Sequence, residues 1–254
     1  MSKRLMFAGV IAAMPVLMGP ASAVEINVYS AGAVQEAERT LAAGFTQMTG
    51  NKVNFTVGTV GQIQEKLKSG APADVIVVST PALEQLEKAG DVRAKSGVPL
   101  GRIGIGVGAK DGTDSPDLST PEKFKETMLK AKSVTYMDPA QGASSGIATA
   151  KIMKDLGIAE EMEKKTKLTQ TGYSADRVAS GEVEFAIQNV SEIVPVKGVK
   201  LAGMLPAPLQ VYTPYSAGVA TKSVAPKEAT DFIRYLTRAE AAGDWKEAGI
   251  EPAH

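Results

Sequence analysis

The chain has 254 residues, 44% of them hydrophobic, with 28 basic and 28 acidic side chains, one histidine and no cysteine. That balance argues against nucleic acid or an anionic membrane surface as partner, and the lack of cysteine excludes disulfides and thiolate metal sites. The single histidine is the last residue, His254, so Ser-His and Cys-His pairs and His-rich metal sites cannot be assembled within a fold.

Ser2-Lys3-Arg4 gives a basic start, Leu5 to Met18 is apolar and small, Gly19-Pro20 breaks the run, and Ala21-Ser22-Ala23 fits a cleavage site. This reads as a secretory signal peptide over residues 1–23, with the mature chain starting at Val24 and localised in the periplasm. Without Lys3 and Arg4 the mature chain keeps 26 basic residues against 28 acidic ones, a net charge near −2.

Glu25 to Tyr29 alternates like a strand and runs into the small residues Ser30-Ala31-Gly32-Ala33. A helix follows, with Val34, Ala37, Leu41, Phe45 and Met48 as its core-facing stripe and Gly50 closing it. Lys52 to Val57 reads as a second strand, then Gly58-Thr59-Val60-Gly61 leads into a helix carrying Ile63 and Leu67. Gly70-Ala71-Pro72-Ala73-Asp74 leads into Val75 to Val78, a continuous apolar run of the kind buried in parallel sheets. Three strand–helix units in succession predict a doubly wound sheet.

Leu100 to Ala109 predicts another strand, and the polar, Gly/Pro/Asp-rich stretch Lys110 to Ser119 predicts a boundary. Beyond it, Val134 to Tyr136 has strand character and ends at Asp138-Pro139. The loop Ala140-Gln141-Gly142-Ala143-Ser144-Ser145-Gly146 then enters a helical pattern through Ile147, Ala148, Ile152 and Leu156. Strand, small-residue turn and helix start are the parts of an anion site, because unpaired N–H groups and the positive end of the helix dipole converge there. Phe185 to Asn189 predicts a strand, Leu201 to Leu205 and Ser216 to Ala220 two more, and Ala229, Phe232, Ile233 and Leu236 mark a C-terminal helix.

Several small-residue turns thus follow strands and precede helices, and in open α/β sheets such turns face a ligand cleft. Asp74, Asp138 and Glu192 lie near strand ends, where turns and caps explain them. No enzyme activity, cofactor or metal is expected.

The patterns V-Y-S-A-G-A-x-x-E-A from Val28, G-T-V-G from Gly58, S-G-A-P-A-D-V-I-V from Ser69 and D-P-A-x-G-A-S-S-G-I from Asp138 resemble the periplasmic molybdate-binding proteins, type II solute-binding components of ABC importers. The resemblance covers the whole mature chain. It implies an α/β fold of two lobes, each a doubly wound, mostly parallel sheet flanked by helices, joined by a two-strand hinge near Ala109 and Val196. Lobe I would comprise residues 24–109 and 197–254, and lobe II residues 110–196. It also implies capture of a small oxyanion between the lobes and delivery to an ABC permease in the inner membrane.

Residue by residue, the family's first serine falls on Ala33 beside Gly32, and its second on or beside Val60, with Thr59 the nearest hydroxyl and Gly61 next to it. The backbone donor of the third loop falls on Ser145, between Ser144 and Gly146. The closing tyrosine falls on Asn189, preceded by Gln188. Arg102 opens the strand leading to the hinge and, if turned inward, would pair with a carboxylate. The ligand is therefore read as a molybdate-like oxyanion or, alternatively, a small di- or tricarboxylate, and a periplasmic ligand-sensing subunit stays open as another role. A monomer is expected.

Overall fold

A computed structural model describes residues 23–253; the expected signal peptide (apart from Ala23) and His254 lie outside the described residues. In chain order the elements are β1 (Glu25–Ala31), α1 (Gln35–Thr49), β2 (Lys52–Gly58), α2 (Val60–Lys68), β3 (Val75–Ser79), α3 (Thr80–Ala89), β4 (Val98–Lys110) and α4 (Pro121–Lys130). They continue with β5 (Val134–Thr135), α5 (Ser144–Asp155), α6 (Ala159–Glu163), α7 (Ala175–Ala179), β6 (Phe185–Asn189) and β7 (Val199–Met204). The chain closes with β8 (Tyr212–Val219), α8 (Pro226–Leu236), α9 (Ala242–Glu247) and β9 (Glu251–Pro252).

The strands run in the order β2-β1-β3-β8-β4-β6-β5, with β7 and β9 added on β4. β1 pairs in parallel with β2 and β3, the expected βα units, while β8 returns antiparallel between β3 and β4. The 13-residue β4 serves two sheets. Its first part, through Gly104, pairs with β8, and its second part, from Ile105, pairs with β6 and β7. The second sheet carries one parallel pair, β5 with β6.

Two lobes follow. In the first, Phe45 of α1 and Phe232 of α8 meet edge-on at 5.2 Å beneath β1, β3 and β8, and Trp245 donates its Nε1–H to Leu236 O at 2.9 Å. Burying side chains of this size stabilises by about 1.5–3 kcal/mol each. Ile63, Leu83 and Leu86 cover the opposite face from α2 and α3. In the second lobe Phe124, Met128, Ile152 and Met153 cover one face and Ala175 and Val178 the other. Most of the helix-stripe positions read from the sequence are buried or half-buried, but Met48 at the end of α1 is 66% exposed and Ile147 in the first turn of α5 is 52% exposed.

The crossing between sheets lies at Gly104–Ile105 on the outgoing strand and at residues 205–211 on the return, not near Ala109 and Val196. The stretch 105–109 and all of β7, expected in lobe I, pair within the second sheet. A long uninterrupted strand gives no compositional break where it changes partners.

Asp74, the end of the G-A-P-A-D stretch, is a knot within the first lobe. Its carboxylate accepts from Ser223 Oγ (2.7 Å), Val224 N (3.1 Å), Ala225 N (3.2 Å) and Asn27 N (2.9 Å). Burial opposes its charge, but these hydrogen bonds prevail and hold its carboxyl below the usual range.

Candidate functional site

A cavity of about 150 Å³ lies between the lobes, at the carboxyl ends of β1, β2 and β6. Each wall is a strand end passing into a helical turn. β1 ends at Ala31 and passes through a 3-10 turn, Gly32–Val34, into α1, with no side-chain cap. β2 ends at Gly58, and Thr59 caps α2 in a reciprocal box: Gln62 N donates to Thr59 Oγ1 (3.1 Å) and Thr59 N to Gln62 Oε1 (3.0 Å).

The third wall is the start of α5. Its N-cap is Ala143, without a side-chain cap, and the first intrahelical bond runs from Ile147 N to Ala143 O. The N–H groups of Ser144, Ser145 and Gly146 therefore have no partner in the helix. Ser144 is not the cap; its hydroxyl bonds Tyr215 Oη of β8 at 3.0 Å.

The sequence-derived residues Gly32, Ala33, Thr59, Val60, Ser144, Ser145 and Asn189 all line the cavity. Four others do not. Gly61 meets the opposite lobe at the rim, where a Cβ would stand 2.9 Å from Gln141 O. Gly146 supports α5 from behind, since a Cβ there would fall 2.1 Å from Met137 O. Gln188 points to the other face of β6, as strand alternation requires, and its Oε1 accepts from Ala175 N at 3.3 Å. Arg102 is on the outward face of β4, its side chain 58% exposed, paired with Glu251 at 2.7 Å and stacked over Tyr212. The inward positions beside it are Gly101 and Ile103, so Arg102 cannot reach the cleft.

Thr59 is also a smaller contributor than expected. Its hydroxyl donates across the cleft to Gln141 O and accepts from Gln62 N, so its single O–H donor is already used.

Sequence reading missed Tyr215, Tyr173 and the place of Glu192 in the cavity wall. Tyr215 arrives on a strand some 70 positions downstream of its partner Ser144, and nothing local marks it. Tyr173 Oη donates to Glu36 at 2.9 Å and accepts from Gln35 Nε2 at 2.5 Å, joining the 171–173 loop to the first turn of α1. Burial and the Glu36 hydrogen bond push its phenol well above the ordinary value.

Glu192 follows β6 by one 3-10 turn and is 7% exposed. Asn189 Nδ2 donates to its Oε2 at 2.8 Å, and its Oε1 lies 3.5 Å from the point where a Cβ on Gly32 would stand. Burial raises its pKa to about 7, against the lowering effects of the Asn189 amide and, more weakly, the Gln188 amide. Tyr215 is buried, and burial and the neighbouring Glu192 both disfavour its phenolate. The lining residues include no lysine, arginine or histidine. The chemistry available is therefore backbone N–H donors at helix starts, neutral hydroxyls and amides, and one carboxyl that titrates near neutrality.

Residues 26–251 match the family described as bacterial extracellular solute-binding protein. An aconitate isomerase from Pseudomonas sp. is 29% identical over 233 residues, 89% of this chain and 87% of that protein. Among solved structures, the periplasmic molybdate-binding protein of Azotobacter vinelandii superimposes with a TM-score of 0.76 at 18% identity, covering 89% of this chain and 98% of that one. The sulfate-binding protein SubI of Mycobacterium tuberculosis H37Rv gives 0.70 at 19% identity, covering 91% and 87%.

Proposed function

The chain belongs to the bacterial extracellular solute-binding proteins, and we propose that it is exported, captures a small carboxylate-bearing anion between its lobes and hands it to an ABC permease. The observation that carries this reading is the convergence of three strand-to-helix turns on a cavity with no basic side chain. Backbone N–H groups hold an anion without a matching charge. The lobes, taken as 24–104 with 212–253 and 105–204, close about the crossings at 104–105 and 205–211. Export by cleavage before Val24 is checked by mass spectrometry of the periplasmic protein; an intact Met1 end would contradict it.

Two features favour a carboxylate over molybdate. Ala33 and Val60 offer methyl groups where a compact tetrahedral anion would want hydroxyls, and about 150 Å³ is a volume that in an apolar core takes a benzene ring. A thermal-shift panel decides. A ligand at a thousandfold excess over its Kd stabilises by about 4 kcal/mol, or roughly 10 °C for a chain of this size. Millimolar di- or tricarboxylates should move the melt and sulfate should not. A shift with molybdate or tungstate alone would restore the oxyanion reading.

Glu192 favours a second reading, catalysis. A carboxyl titrating near pH 7 in a cleft is matched to proton transfer, and the Pseudomonas relative carries the name aconitate isomerase. Moving a proton between carbons of an unsaturated tricarboxylate requires a base and an acid but no redox partner. Proton NMR of trans-aconitate incubated with the protein would show the cis isomer accumulating; an unchanged spectrum at stoichiometric protein leaves capture as the activity.

A further inference from the structure

An anion captured in this cleft meets a carboxyl group. Glu192 presents Oε1 toward the Gly32 turn, while Oε2 is held by Asn189 at 2.8 Å. The titratable groups facing it bring no positive charge. From β8 comes Tyr215, bonded to Ser144; from the 171–173 loop comes Tyr173, bonded to the carboxylate of Glu36. The Gly32–Val34 turn and the Ile105–Ala109 part of β4 packed beneath bring no ionisable side chain. Two negative charges confined together cannot both persist, and one of them is neutralised by a proton.

We propose that Glu192 binds the anion as the neutral acid, so that wherever the empty site is ionised a proton is taken up with the anion, and that its O–H is the donor selecting basic carboxylate oxygens over sulfate. The proposal rests on the anion-capture reading and specifies the chemistry of the same site. Burial already brings the empty site's carboxyl to about pH 7, so the proton is in place below neutrality and must be acquired above it. The absent side chain at Gly32 leaves the space through which the O–H meets its acceptor.

The probe is trans-aconitate, followed by calorimetry from pH 6 to 8.5. Only the protonated fraction of the protein is competent, so the affinity should be about thirtyfold weaker at pH 8.5 than at pH 6. At pH 8.5, heats in two buffers of different ionisation enthalpy should report close to one proton taken up per anion. Glu192→Gln, which keeps a donor without a titration, should show a flat profile. Sulfate should fail to displace the probe.

A wild-type affinity that stays within twofold across the range, or a Gln variant with the wild-type slope, overturns the proposal. Sulfate binding as tightly as trans-aconitate overturns its selectivity. If molybdate binds and no carboxylate does, the carboxylate reading falls, and the same pH series with molybdate decides the proton claim by the same criteria. If no anion binds at pH 6, both fall.

Discussion

Glu38 sits fully buried on α1, its carboxylate hydrogen-bonded to Ser30 Oγ at the end of β1, with its other oxygen lacking any partner. Burial raises its pKa to about 8, against smaller lowering effects from Ser30 and Arg39. The folded chain therefore holds a proton that the unfolded chain, titrating near 4.5, has released. Stability from this group is fully present below the unfolded value, declines as pH rises from about 4.5 to about 8, and is level beyond. Glu192 acts with the same sign over the narrower window that ends near pH 7. Glu38→Gln should accordingly raise the melting temperature at pH 8.5 and change it little at pH 5, read by calorimetry at both values. A loss of stability at pH 8.5 would mean that the ionised carboxylate has a partner the neutral amide cannot replace.

The element that sets the donors is α5, and its position depends on Gly146. Alanine is normally the better helix residue by about 1 kcal/mol, yet a Cβ here would stand 2.1 Å from Met137 O. Gly146→Ala should therefore lower stability and weaken anion binding together, because pushing α5 outward moves the Ser144 and Ser145 N–H groups off the cavity. A more stable variant with unchanged affinity would show that α5 is not pressed against the 137–138 segment. The same dependence on close backbone approach decides what could be read in the sequence. The turns at Gly32, Thr59 and Ser145 were legible because small residues between a strand pattern and a helix pattern mark a backbone that something approaches closely. Gly61 and Gly146 were legible as part of those turns but not in their role, since a glycine selected for backbone contact looks like one selected for a ligand. The sequence leaves the face of Arg102 open because the glycines at alternate positions of β4 erase the inward–outward pattern that would have shown it. Glu192 was visible as a strand-end acid, but its role depends on Gly32 approaching from the other lobe, a pairing made by topology over 160 positions.

Across the whole molecule the lobes are held shut by a ring of bonds around the cavity. Thr59 Oγ1 donates to Gln141 O, Ser191 Oγ to Ala33 O at 2.6 Å, Tyr173 Oη to Glu36 at 2.9 Å, and Ser144 meets Tyr215 at 3.0 Å. Bonds of this kind contribute about 0.5–1.5 kcal/mol each when neutral and more when charged, so the open and closed forms differ by a small sum that a ligand can tip. The rim contact at Gly61 has the least room: beyond Gln141 O at 2.9 Å, an added Cβ would meet Gly142 Cα at 3.2 Å, both of them backbone. No side-chain rotation relieves that clash, and the relief available is to part the lobes. Gly61 lies in the first turn of α2, outside the cores of both lobes. Gly61→Val should therefore leave the melting temperature of the ligand-free protein within a few degrees while holding the cleft open. Small-angle scattering should show a larger radius of gyration in the presence of saturating anion than for the wild type. Affinity should fall at least tenfold, through faster dissociation, because the donors of the first and second lobes no longer reach the same ligand. A variant with wild-type scattering and wild-type affinity would mean that the 59–62 and 141–142 segments do not meet when the anion is bound, and that closure is set by the Tyr173, Ser191 and Ser144 contacts.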